Sequence, residues 1–218
     1  MKYFTKEWYD EMQVSGFLVF PETKEEWEGN QTWQRTEGQD PHQIHRRDLA
    51  DKREDLLKFL PEAFHPYIYD GTINSAYPTL ELREMTAKWE ADYEARVDAL
   101  LDDYSRHYEA TKEFLPPGML QLTEKSLHDC IVKSVERPSD DVLVLYLDCS
   151  GGFHYFKDIK VTFTGVKEVV IPENMTDAWW LYNEIYLNGD LFELHVLFDM
   201  PMAEVTIVSR DVQIEELE

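Results

Sequence analysis

From Thr79 to Glu113, apolar and aromatic residues return every three or four positions: Leu82, Met85, Trp89, Tyr93, Val97, Leu100, Tyr104 and Tyr108. At 3.6 residues per turn this spacing draws one apolar stripe along a helix, and Glu and Asp fill the other faces. At about 1.5 Å per residue the helix is ~50 Å long. Such a stripe has to be covered. A coiled-coil partner would do it, but the shorter helices of the same half are the expected cover. Pro116-Pro117-Gly118 stops the helix and marks a boundary.

Upstream of it the chain reads as short helices and loops. Thr5 caps a helix over 6–12, and a brief apolar run at 17–20 ends at Pro21. Thr23 caps a second helix through Glu28, with Glu26 at the capping-box position. Residues 29–39 read as a polar loop. Asp40-Pro41 starts the next helix, and Leu49, Leu56, Leu57 and Leu60 mark its buried stripe.

Beyond the boundary the pattern changes to short β-rich runs at 127–136, 142–148, 153–163, 166–171, 179–187, 191–198 and 204–214. Turn residues separate them, and Asn188-Gly189 is the clearest hairpin signal. The expected fold is therefore α+β. A helical region at 1–118 packs on a β region at 122–218, which forms an antiparallel sandwich or a strongly curved sheet.

With 43% hydrophobic and 13% aromatic residues, the 218-residue chain can build a substantial core. Its 21 basic and 44 acidic residues leave a formal charge of −23. Residues 1–120 hold 14 basic and 25 acidic groups, and residues 121–218 hold 7 and 19. Neither half offers the clustered Lys and Arg that nucleic-acid phosphates require. The acidity suits either solubility or a basic protein partner drawn in by long-range attraction. The opening MKYFTKEWYDEMQ has no apolar core of a signal peptide, and no run approaches a membrane span in length. Cys130 and Cys149 are too few for a disulfide framework. These features together lead to the expectation of a cytoplasmic protein with free thiols.

The opening MKYFTKEWYDEMQVSGFL, the run LHDCIVKSVE at 127–136 and FELHVLFD at 192–199 resemble a family of uncharacterised bacterial cytoplasmic proteins filed as a domain of unknown function. The resemblance covers nearly the whole chain and implies a bacterial source. It supplies no activity or site residue. The β half also looks like small immunity-type domains, in which a His-Asp pair opens a strand and an acidic strand closes the chain.

Four constellations could carry chemistry. His128, Cys130, Cys149 and His154 offer two thiolates and two imidazoles, a sound zinc set, although their spacing fits no zinc-finger signature and a buried structural cysteine is the commoner outcome. Zinc is the one cofactor this chain suggests. His195 shares a strand face with Glu193, either as a proton-transfer pair or as a polar pair on a solvated face. His42 with His45, and Asp103 with His107, lie three and four apart on helices and read most simply as surface pairs. Trp180, Tyr182 and Tyr186 alternate on one strand face beside Trp179. Exposed, this aromatic set would grip a ligand or peptide; buried, it would lie under the helical half, which is favoured because a bare stripe of that size invites aggregation.

Two geometric expectations follow from the strand pattern. A four-residue hairpin loop at 138–141 would set Cys130 opposite Cys149. In 204–214, Val205 and Ile207 fall on odd positions and Val212 and Ile214 on even ones, so a bulge near Ser209-Arg210 is needed to keep both pairs inside. The functional expectation is a non-enzymatic, acidic, immunity-like protein that binds a basic partner. The alternative is a metal-dependent or acid–base enzyme built on His128, Cys130, Cys149, His154 and His195.

Overall fold

The computed structural model describes residues 1–217 and divides the chain into two compact units, Glu7–Ala99 and Met1–Lys6 with Leu100–Glu218. Helix gives way to strand between Glu124 and Ile131, and one bound between the units, Ala99/Leu100, falls within the long helix. Among the described residues, seven α-helices are followed by an antiparallel sheet of eight strands, an α+β arrangement.

In the first unit, α1 (Lys6–Phe17), α3 (Pro41–Phe59), α4 (His65–Asp70), α5 (Thr72–Ser75) and the first part of α6 (Leu80–Thr111) surround one core, while α2 (Lys24–Thr36) has no buried residue. Val14, Leu18, Leu56, Phe64, Ile68, Ile73 and Leu82 are its fully buried members, and Trp89 and Tyr93 carry the α6 stripe into it. The helix starts are set locally. Thr23 accepts the Glu26 amide at 3.1 Å while Glu26 reaches back to the Glu22 amide at 2.9 Å. Asp40 accepts the His42 amide at 3.0 Å, with Pro41 in the first turn. The expected loop at 29–39 is instead helical to Thr36. Gly29 costs a helix only about 1 kcal/mol, and no proline follows until Pro41 to break it.

In the second unit, α7 (Pro117–Glu124) precedes β1 (Ile131–Ser139), β2 (Val142–Asp148), β3 (Ile159–Thr164), β4 (Glu168–Val170), β5 (Trp179–Asn188), β6 (Leu191–Asp199), β7 (Ala203–Ser209) and β8 (Asp211–Glu216). The strand order is β4-β7-β6-β5-β1-β2-β3-β8 and the sheet is not closed. It is nevertheless strongly bent. β3 lies next to one edge and β4 forms the other, yet only Gly165–Lys167 separates them. Arg210, between β7 and β8, donates its amide to the Thr164 carbonyl at 3.0 Å and ties the same corner. Gly165 has a φ of +63°, and a Cβ there would stand 2.8 Å from that of Arg210, so the corner needs glycine on both counts.

Val205, Ile207 and Val212 are buried and Ile214 packs against the same core, as the odd-to-even switch demanded. The device is not the expected bulge. The chain leaves the ladder with β6 at Ser209, spends Arg210 on the corner, and enters the ladder with β3 at Asp211. A change of partner strand shifts the parity just as an extra residue would. The Asn188-Gly189 hairpin forms as read, with Gly189 at φ +64° and Asn188 opposite Leu191. The core inside the bend takes in Leu145, Val161, Phe163, Trp180, Ile185, Leu194 and Val196, and α7 adds Met119 and Leu122, both fully buried.

Candidate functional site

The two cysteines meet as expected and form a disulfide, which corrects the expectation of free thiols. Their Cα atoms are 4.3 Å apart and both residues are fully buried. The alignment arises by a different route from the one read in the sequence. The β1–β2 loop holds two residues, Asp140 and Asp141, and Ser139 faces Val142. Two one-residue irregularities in β1, between Val132 and Ser134 and between Glu136 and Ser139, then shift the register to bring Ile131 opposite Asp148 and Cys130 beside Cys149. A disulfide is the state that oxidising surroundings favour, so the bond lends no support to the cytoplasmic setting expected from the sequence.

With both sulfurs bonded to each other, the zinc set of His128, Cys130, Cys149 and His154 has no thiolate to offer. His128 packs edge-on against Phe153 and Tyr182, and His154 is exposed. Among the described residues, no group of three or more His, Cys, Asp and Glu is placed to hold a metal. Without reductant, denatured protein is expected to show no titratable thiol, and two thiols would contradict the pairing. Cys149→Ser should lower stability by about 3 kcal/mol in chemical denaturation, the magnitude for a loop of this size.

The aromatic set is split by a register shift between Trp180 and Tyr182. Trp180 turns inward, fully buried and edge-on to Phe198, so it does not share a face with Tyr182 and Tyr186, as the alternation had suggested. Trp179 is 40% exposed. Tyr182 and Tyr186 point to the outer face of β5, and that face is covered from within the same unit. Phe4 lies 5.7 Å from the Tyr182 ring, and His107 of α6 lies 4.9 Å from Tyr186. Tyr104 packs against Tyr3 at 5.3 Å and Phe4 at 4.9 Å.

Between the two tyrosines stands Glu184, fully buried. Its carboxylate accepts the backbone amides of Lys2, Tyr3 and Phe4 at 2.8, 2.7 and 2.5 Å and the hydroxyl of Tyr186. A buried carboxylate needs this many donors to offset its lost hydration. Across the ladder, His195 faces Glu184 on one side and Thr206 on the other. Its Nε2 meets Glu193 at 2.7 Å, and its Nδ1 meets Thr206 at 3.1 Å and Glu204 at 3.6 Å. The His195–Glu193 pair foreseen on this strand thus exists, and both ring nitrogens are engaged. Asp103 and His107 do not pair: His107 Nε2 meets the Ile185 carbonyl at 2.8 Å, and Asp103 pairs with Arg106, whereas His42 and His45 line one cleft at the start of α3. Glu184 itself was missed. The signal was its place between Tyr182 and Tyr186 on an aromatic face.

Burial, followed by the Glu184 hydrogen bond and charge, drives the Tyr186 phenol far above its ordinary pKa. Burial does the same for Tyr104. Both phenols are neutral in the folded state when an unfolded chain would ionise them, near pH 10. Their contribution to stability is complete below that pH and is lost as pH rises above it. Alkaline titration followed by phenolate absorbance should show these two tyrosines ionising only with unfolding, and Tyr186→Phe should flatten the alkaline fall in stability. An unchanged slope would contradict this.

Among the described residues no helix is long and apolar enough to cross a membrane. The family described as protein of unknown function (DUF4085) matches residues 3–209, and the chain belongs to it. No curated protein matches.

Proposed function

We propose that this member of the DUF4085 family is a non-enzymatic interaction protein whose partner is a basic protein or peptide. The carrying observation is the distribution of charge. Glu7–Ala99 has 10 basic against 21 acidic residues, and the other unit has 11 against 23. The excess is therefore a property of both units rather than of a tail. Many of these carboxylates are exposed without a counter-charge: Asp98 and Asp102 on α6 make no ion pair among the described residues. A field of one sign spread over folded surface raises the encounter rate with basic proteins and repels acidic ones. An immunity-like role, neutralising a basic effector, fits this chemistry and rests on analogy.

Affinity capture in dilute buffer, followed by release with salt, tests the reading. The expected result is a basic protein that binds the purified chain directly and is released by salt. Capture of acidic proteins alone, or of none, would count against it. The proposed setting is the cytoplasm, and a Cys130–Cys149 bond that persists in cells lysed under thiol-trapping conditions would argue for an oxidising compartment instead.

A second reading, an acid–base enzyme, draws on the 2.7 Å contact between His195 and Glu193, and its metal-dependent form on His128, Cys130, Cys149 and His154 would first require the disulfide to be reduced. The acid–base form would require His195 to exchange one of its present partners for a substrate.

A further inference from the structure

A cleft of ≈550 Å³ opens in the helical unit between the start of α3 and the α4–α5 turn, with Asp40, His42, Arg46, Asp70, Asn74 and Ser75 in its walls. Its size falls within the roughly 300–1,000 Å³ common for small-molecule sites. In a chain with twice as many acidic as basic residues, 42–53 reverses the balance: Arg46, Arg47, Lys52 and Arg53 stand against Asp48 and Asp51, with His42 and His45 beside them.

The cleft holds both signs of charge with capacity left over. Arg46 and the His42 ring have no hydrogen bond or ion pair among the described residues. Asp40 uses Oδ1 for the His42 amide at 3.0 Å. Asp70 uses Oδ1 for the Thr72 amide and hydroxyl at 2.8 and 2.6 Å, bonds that hold its carboxyl below the ordinary range. The second oxygen of each carboxylate is uncommitted. Two further atoms in the lining residues, His45 Nδ1 and Asn74 Oδ1, are shut from solvent without a partner. Because Asn74 Nδ2 donates to the His45 carbonyl at 2.8 Å, its oxygen is an acceptor still lacking a donor. Stacking on Trp27 at 5.3 Å fixes the His45 ring, and burial lowers its pKa, so it is neutral near pH 7.

A simple anion in this cleft would meet two carboxylates, and a simple cation would meet Arg46. A molecule carrying both charges satisfies both walls. We infer that the cleft binds a small zwitterion of dipeptide size, with its carboxylate on Arg46 and His42 and its ammonium on the open oxygens of Asp40 and Asp70. This inference is independent of the basic-partner reading, which concerns the charge of the whole surface.

Titration calorimetry of the full chain with alanyl-alanine, its N-acetyl and C-amide derivatives, and inorganic phosphate tests it. Saturable binding of alanyl-alanine is expected, weakened about tenfold or more when either terminus is blocked. Arg46→Gln, a change at an exposed side chain, should weaken the free dipeptide to a similar extent. The inference is overturned if alanyl-alanine does not bind, if the blocked forms bind equally well, if phosphate alone binds, or if Arg46→Gln leaves the affinity unchanged. The comparison of free and blocked dipeptides uses unaltered protein, so it decides the matter even if the variant is unstable.

Discussion

Glu184→Ala is expected to cost about 3–5 kcal/mol in urea denaturation, because it strips four donors of a shared acceptor that is itself fully buried. The side chain is fully buried on β5, and its partners come from residues 2–4 and from Tyr186. Losing one bond costs less than leaving the donors orphaned, so Tyr186→Phe should cost only about 1–2 kcal/mol. In Glu184→Ala the opening residues are expected to come loose, which makes them more open to hydrogen exchange and to proteases than in the parent protein. Stability within about 0.5 kcal/mol of the parent, the range of neutral surface changes, would show that the carboxylate does not anchor this arm.

The second large effect concerns a single methyl group. A Cβ added at Gly118 would lie 1.6 Å from the Val212 carbonyl oxygen and 2.7 Å from its carbon. Those are backbone atoms of β8 and cannot turn aside as a side chain could. α7 would have to lift, disturbing Met119 and Leu122, which are both fully buried. Gly118→Ala should therefore cost about 3 kcal/mol or more. Gly29→Ala supplies the contrast. Gly29 sits inside α2 with nothing within 4 Å of its added Cβ, so alanine there should stabilise by about 0.5–1 kcal/mol. Equal effects from the two substitutions, measured in parallel melts, would contradict the close approach of α7 to β8.

The features readable in the sequence were those set by local rules. The α6 stripe emerges as the buried residues Leu82, Trp89 and Tyr93 because helical periodicity is a short-range property. The Asn-Gly turn and the Asp40-Pro41 start follow from backbone preferences of one or two residues. What escaped depends on pairings between distant parts of the chain. Trp180 faces the core because one residue is inserted into its ladder with β6, and nothing in the tripeptide around it announces that. The cysteines met although the loop was misjudged, since a loop shorter by two residues and two irregularities in β1 offset each other. Glu184 is bound by amides 180 to 182 positions away, and no pattern near residue 184 encodes that contact. The cleft at His42 and His45 likewise needs the α4–α5 turn to bring Asp70 and Asn74 alongside a histidine pair that reads alone as surface.

We propose that surface charge brings this protein to a basic partner. The most direct test of this claim is the association rate between the purified chain and the captured partner across a range of ionic strength. The rate should fall about tenfold or more from low to high salt, while the dissociation rate changes much less. An association rate indifferent to salt would contradict the claim, because screening would then be removing nothing that drives the encounter.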